Sequence, residues 1–159
     1  MRAKEFITET ENYLYHGSDS PVIQGPLRTG ERDDGWFGPG FYLTASLDYA
    51  KRWGRYIYKM TAPPGKYAEV QVIGNYEKTM YDDISQKANE YAGGKDAWIQ
   101  NELLWAQKFQ EFLVKNGVIG VRAHFDNEKD VEVVVFNPAS VKRESDHPFL
   151  DQKQTQQAN

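Results

Sequence analysis

The chain has no cysteine, only three histidines and three methionines. Without thiols there can be no disulfide, no thiolate nucleophile and no cysteine-based metal site, and either redox compartment is permitted. The histidines, His16, His124 and His147, show none of the spacings that bring two imidazoles onto one metal ion, so no metal is expected. Long apolar runs are missing as well. Val131 to Phe136, with Glu132 inside it, falls far short of a bilayer span, so no membrane partner is expected. The opening Met1-Arg2-Ala3-Lys4-Glu5-Phe6-Ile7 lacks the apolar stretch of a secretory leader, which leads us to expect a soluble protein of the cytoplasm. A basic balance is absent too. With 19 Lys and Arg against 23 Asp and Glu, the net charge of −4 argues against a protein whose main task is to grip nucleic-acid backbone. Finally, there is no Walker phosphate loop, no Gly-x-Ser-x-Gly nucleophile turn and no complete dinucleotide fingerprint.

What is present suits one ordinary domain. A length of 159 residues, 40% hydrophobic and 26% charged, can enclose a sizeable core but not two. Aromatic residues, at 14%, are numerous enough to line a cleft as well as fill a core. Residues 1–11 read as an N-terminal arm, 12–145 as the folded domain and 146–159 as a polar tail, of which the glutamine-rich last ten residues are expected to be disordered.

Periodicity predicts strands over 12–16, 41–44, 55–60, 67–73, 118–125 and 131–136. It predicts helices over 47–53, capped by Ser46 or Thr44, over about 80–91, and over 96–116. In the last of these Trp98, Trp105, Phe109 and Phe112 recur at spacings of seven, four and three. Strands at both ends with helices between them predict an α+β fold rather than a doubly wound one. The Gly- and Asp-rich stretch 25–40 reads as a long loop, which in a small domain is more often functional than idle.

Three segments carry potential chemistry. Tyr15-His16-Gly17-Ser18 places an imidazole beside backbone that glycine leaves open to a flat ligand. Gly38-Pro39-Gly40-Phe41-Tyr42-Leu43-Thr44 puts Tyr42 on a strand, with Trp53 eleven residues later, so that two rings could clamp an aromatic cation. Asp130-Val131-Glu132-Val133-Val134-Val135-Phe136 places one carboxylate within an apolar strand, where desolvation favours a catalytic role. Each has a plain structural alternative: an ordinary histidine, a core strand and helix, and the solvated end of an edge strand.

In this order and spacing the three segments resemble the His-Tyr-Glu class of ADP-ribosyltransferases, which includes diphtheria-type toxins and the poly(ADP-ribose) polymerases. The resemblance spans about residues 13–142 and implies a split β-sandwich with helices flanking a central NAD cleft. It implies that His16 holds the adenosine-side ribose, that the Gly17 backbone, with Ser18 beside it, binds the nicotinamide carboxamide, and that Tyr42 and Trp53 stack on the nicotinamide ring. Glu132 would be the catalytic glutamate, and Arg28 would correspond to an arginine near the adenosine or phosphates. Two positions depart from the pattern: Trp53 stands where tyrosine is usual, and Ala50 where the polymerases have serine. Asp130, two residues before Glu132, is similar to the paired acids of the arginine-modifying class, but that class carries arginine where His16 stands.

The implied chemistry is coherent. Nicotinamide in NAD is cationic, and a ring on each face contributes on the order of 1 kcal/mol or more. Breaking its bond to ribose builds positive charge on the sugar, which a fixed carboxylate stabilises. Expected from the resemblance are NAD as co-substrate, release of nicotinamide and single-unit transfer to a macromolecular acceptor, with protein as the expected class and nucleic acid left open. The loops 25–38 and 75–96 would select it. An NAD glycohydrolase and an inactive NAD- or ADP-ribose-binding module are the alternatives, and a monomer is expected. The first nine residues are similar to the opening of some tailed-phage proteins packaged in the capsid, which implies delivery into a host cytoplasm.

Overall fold

The computed structural model describes residues 13–27, 37–73, 77–125 and 131–153. Arg28, Asp130, the arm at 1–11 and most of the 25–40 loop therefore lie outside the described residues. The fold is mixed α+β. Its strands are β1 (Leu14–Ser18), β2 (Phe41–Thr44), β3 (Tyr56–Thr61), β4 (Lys66–Ile73), β5 (Glu77–Met80), β6 (Val118–Phe125), β7 (Val131–Val135), β8 (Lys142–Arg143) and β9 (Leu150–Asp151). The helices are α1 (Leu47–Ala50), α2 (Asp83–Tyr91), α3 (Gly94–Gln100) and α4 (Glu102–Lys115), with a 3-10 turn at Pro138–Ser140. Among the described residues no helix is long and apolar enough to cross a membrane.

The strands form one sheet in the order β5-β4-β6-β7-β2-β1-β3-β8, and β9 also pairs with β3. All neighbours are antiparallel except β4 and β6, whose parallel pairing requires the long helical crossover through α2, α3 and α4. Alternation assigns the two faces. Val70, Val121, Ala123 and Val134 pack under Trp105, Phe109 and Leu113 of α4 and Ala88 of α2. The other face gathers Phe41, Leu43, Val133 and Val135 with Tyr58 and Met60 of β3. Residues of β3 and β7, which have two strands between them in the order, share that core, so the sheet folds over on itself. The fold line falls between β1 and β2, which share the single register pair Tyr15↔Thr44.

Five expectations need correction. β1 does not end at His16 but continues through Gly17 and Ser18, because both pair with Ile57 and Tyr56 of β3. The helix drawn over 80–91 begins at Asp83, where Asp82 accepts the Ser85 N–H; residues before it form β5 against β4. The helix drawn over 96–116 is two helices, broken at Asn101, whose side chain caps α4 by accepting the Leu104 N–H. The break lets Trp98 meet Trp105 edge-on, with ring centroids 5.5 Å apart. The last ten residues are not simply a tail: Leu150 and Asp151 add a strand to β3, and residues 154–159 lie outside the described part. α1 is also shorter than expected, ending at Ala50, so Trp53 sits in the turn beyond it.

Candidate active site

The strand register puts Glu132 of β7 opposite Thr44 of β2 on one side and opposite Ala123 of β6 on the other. Opposed residues in antiparallel strands project to the same face, so Glu132, Thr44 and Tyr42 share the helix-covered face. Glu132 is 5% exposed, and its Oε1 is buried with no hydrogen-bond partner among the described residues. Burial alone pushes its carboxyl up to about 7. A carboxylate inside a central strand, with no cation beside it among the described residues, costs stability. A purely structural position would be better filled by valine, as at the neighbours Val133 and Val134.

Tyr42 is held at both ends. Its hydroxyl donates to the Gly38 carbonyl at 2.7 Å and accepts the Phe37 N–H at 3.1 Å, while its ring packs on the helix-side core. That fixes the glycine loop 37–40 to β2. Gln110 of α4 reinforces the loop by donating to the Phe37 and Pro39 carbonyls at 3.3 and 2.7 Å.

His16 lies on the other face of the sheet from Glu132. Its ring stacks on Phe41, centroids 4.2 Å apart, and its Nδ1 is 3.0 Å from the Tyr42 carbonyl oxygen. A carbonyl can only accept, so Nδ1 carries the proton and Nε2 is left as an acceptor. Burial lowers its pKa and the bond to Tyr42 partly opposes this, so the ring is neutral near pH 7. The bond spans the line where β1 and β2 part.

Gly17 lies under the turn that follows α1. A Cβ there would meet the Ala50 carbonyl oxygen at 2.3 Å and Trp53 Cβ at 3.0 Å. Glycine is needed for this close approach of two backbones, and Gly54 repeats it against Ser18. Ser18 Oγ accepts the Ser20 N–H in a local turn. Trp53 is 55% exposed and its ring meets Tyr49 edge-on at 5.9 Å; Tyr49 in turn packs on Phe125 of β6.

Glu132, Tyr42, Gly17 and the Trp53 turn are thus brought to one region, where β1 and β2 separate, whereas the His16 ring lies on the opposite face, against Phe41. Sequence reading missed Thr44 as the neighbour of Glu132, although two-residue alternation from Tyr42 would have shown it. It also missed Tyr49 and Phe125, which only the packing of α1 against β6 brings together. Among the described residues no group of acidic residues and histidines could hold a metal ion.

No protein-family description matches this chain, and no curated protein sequence matches it. Among solved structures, an anti-CRISPR protein is similar to it over 82% of this chain and 93% of its own, at 19% identity and a TM-score of 0.44.

Proposed function

We propose that this protein is a mono-ADP-ribosyltransferase, a split β-sandwich enzyme that cleaves NAD between nicotinamide and ribose and passes ADP-ribose to a macromolecular acceptor. The observation that carries the reading is Glu132: a buried carboxylate in a central strand, its Oε1 without a partner among the described residues, beside Tyr42 and the place where the sheet parts. Such a group destabilises the fold unless a ligand supplies its partner. The ordered segments containing His16, Tyr42 and Glu132 that suggest the family add to this. So does glycine at position 17, which lies two residues past the single β1–β2 register pair and directly under Trp53.

In this reading NAD binds with its nicotinamide between Tyr42 and Trp53 and its carboxamide on the Gly17 backbone. His16, neutral and with Nε2 free to accept, takes a hydroxyl of the adenosine ribose. As the C–N bond breaks, its electron pair goes to the nicotinamide nitrogen, which leaves neutral and needs no acid. Positive charge spreads over the ribose ring and C1′, and the Glu132 carboxylate stabilises it. The acceptor nucleophile bonds to C1′ and gives its proton to Glu132. A carboxyl near 7 is a stronger base than an ordinary glutamate, and the cationic nicotinamide favours its ionised form on binding.

The test is incubation of the purified protein with labelled NAD, with and without cell lysate, following nicotinamide release and labelled macromolecules. Label on a lysate component, lost in Glu132→Gln, establishes the transferase. Nicotinamide release without a labelled acceptor in any lysate makes it a glycohydrolase. Neither product, with NAD bound, makes it a binding module.

A further inference from the structure

We propose that the C-terminal segment Phe149 to Gln152 is a positioning element. It fixes the turn after α1 against Gly17 and Ser18, and so sets the affinity for whatever binds beside that turn. The consequence for NAD rests on the function proposed above; the clasp itself rests on the geometry that follows.

The turn cannot hold its own position. α1 has only four residues, too few to be stable alone, and the carbonyls of Lys51 and Gly54 in the turn after it lie outside its own bonding. Gln152 reaches both: its Nε2 donates to the Lys51 carbonyl at 2.9 Å and to the Gly54 carbonyl at 2.7 Å. One amide thus bridges the two ends of the turn that carries Trp53.

Gln152 is itself anchored. β9 pairs with β3 at Tyr56↔Asp151 and Ile57↔Leu150. The Phe149 N–H donates to the Ile57 carbonyl at 2.7 Å, and the Gln152 N–H to the Arg55 carbonyl at 3.0 Å. Arg55 returns a two-pronged contact, Nε and Nη2 donating to the two Asp151 oxygens at 2.7 and 3.0 Å. Fork geometry of this kind is the directional form of an ion pair. The chain from 149 to 152 is therefore fastened to β3 on one side and to the turn on the other.

On its far side the turn has no slack. The space a Cβ at Gly17 would need is taken by the Ala50 carbonyl and Trp53 Cβ, and a Cβ at Gly54 would lie 2.5–2.6 Å from Ser18 backbone atoms. A small displacement of the turn therefore opens the contact with β1 and moves Trp53 with it. Glu132 lies on β7, which pairs with β2 and β6 rather than with β1, β3 or β9, so loss of the clasp acts on binding rather than on bond breaking.

The test uses the full chain and three substitutions at one position. Gln152→Ala removes both bonds and leaves the turn seated only part of the time, which raises the NAD KM by about tenfold while kcat stays within about twofold. Gln152→Glu presents an acceptor to two carbonyls and raises KM further. Gln152→Lys keeps a donor and stays near the parent. Asp151→Asn weakens the Arg55 fork from the other side and moves KM in the same direction. Hydrogen exchange gives a readout independent of catalysis: the amides of Arg52 and Trp53 exchange about tenfold faster in Gln152→Ala, while those of β6 and β7 are unchanged. Unchanged exchange in the turn overturns the proposal, and so does faster exchange with an unmoved KM in an enzyme that turns over NAD. If the parent protein does not use NAD, the failure lies with the function proposed above, and exchange confined to the turn still decides the clasp.

Discussion

Glu132 on β7 lies directly opposite Thr44 on β2, with both side chains on the helix-covered face of the sheet. Thr44 Oγ1 already accepts the Ser46 N–H at 3.1 Å, which starts the chain into α1. One residue pair therefore joins the candidate carboxylate to the element that carries Tyr49 toward it. The Oε1 of Glu132 has no partner among the described residues, and burial, which penalises its charge, pushes the carboxyl up to about 7.

A stability profile follows from that shift. Glu132 titrates higher in the folded chain than in the unfolded one, so between about pH 4.5 and 7 the folded state binds the extra proton. Stability from this group is complete below that window and is lost as pH rises through it, by on the order of 3 kcal/mol. His16 works in the opposite sense: its folded pKa is lowered, so its contribution is present above its ordinary value of 6.5 and is lost as pH falls. Glu132→Gln isolates the first effect. Urea unfolding from about pH 4 to 8 should show the variant gaining on the parent as pH rises. Parallel profiles would mean that Glu132 is solvated in the folded protein.

The same variant separates binding from chemistry. Glu132→Gln keeps the shape of the side chain and removes its charge, so kcat for nicotinamide release should fall by about 10²-fold or more. NAD affinity should change far less. In the parent, kcat/KM should rise with pH through about 7 as the carboxyl of the free protein ionises. A kcat within a few-fold of the parent would remove Glu132 from the reaction.

Gly17→Ala tests the close approach at the sheet opening. The added methyl would sit 2.3 Å from the Ala50 carbonyl oxygen, a backbone atom that cannot rotate away. The turn carrying Trp53 must shift, at a cost of about 1–3 kcal/mol. Because the shift is local, ligand binding should suffer more than global stability, which thermal melting together with NAD titration would reveal. A variant that melts and binds like the parent would show that the turn is not seated on β1.

The α+β class, most strands and the alternation that places Tyr42 and Glu132 were legible in the sequence, because each rests on local periodicity. What was not legible depends on partners distant in sequence. Gly17 and Ser18 look like turn residues, yet pairing with Ile57 and Tyr56 extends β1 through them. The polar segment 150–153 looks like a tail, yet backbone bonds to β3 and the Asp151–Arg55 fork order it. His16 was legible as a candidate but not as a residue on the far face, since that follows from the cross-strand register Tyr15↔Thr44↔Glu132, which puts its neighbour Tyr15 on the Glu132 face. Nor could Asn101 be seen as a break, because the aromatic stripe runs unbroken across it; its side-chain cap and the packing of Trp98 on Trp105 decide the matter.

Asn101→Ala puts that break to the test. Alanine favours continuing one helix through 94–115, but it deletes the acceptor for the Leu104 N–H. Loss of such a cap costs about 1 kcal/mol. For a chain of this size that lowers Tm by about 2–4 °C. An unchanged or raised Tm would mean that α3 and α4 are equally stable as one helix.

His16 bridges the parting strands through a defined tautomer, and this is directly observable. Nδ1 donates to the Tyr42 carbonyl, and the ring stacks on Phe41. Nitrogen-15 NMR should therefore find His16 neutral at pH 7 with its proton on Nδ1. His16→Phe preserves the stack but leaves a part-buried carbonyl without its donor, at a cost of about 1–3 kcal/mol. If the ring also holds the adenosine ribose through Nε2, the variant raises the NAD KM more than it lowers kcat. A proton found on Nε2 instead would contradict the bond to Tyr42 and remove the free acceptor on which that ribose contact depends.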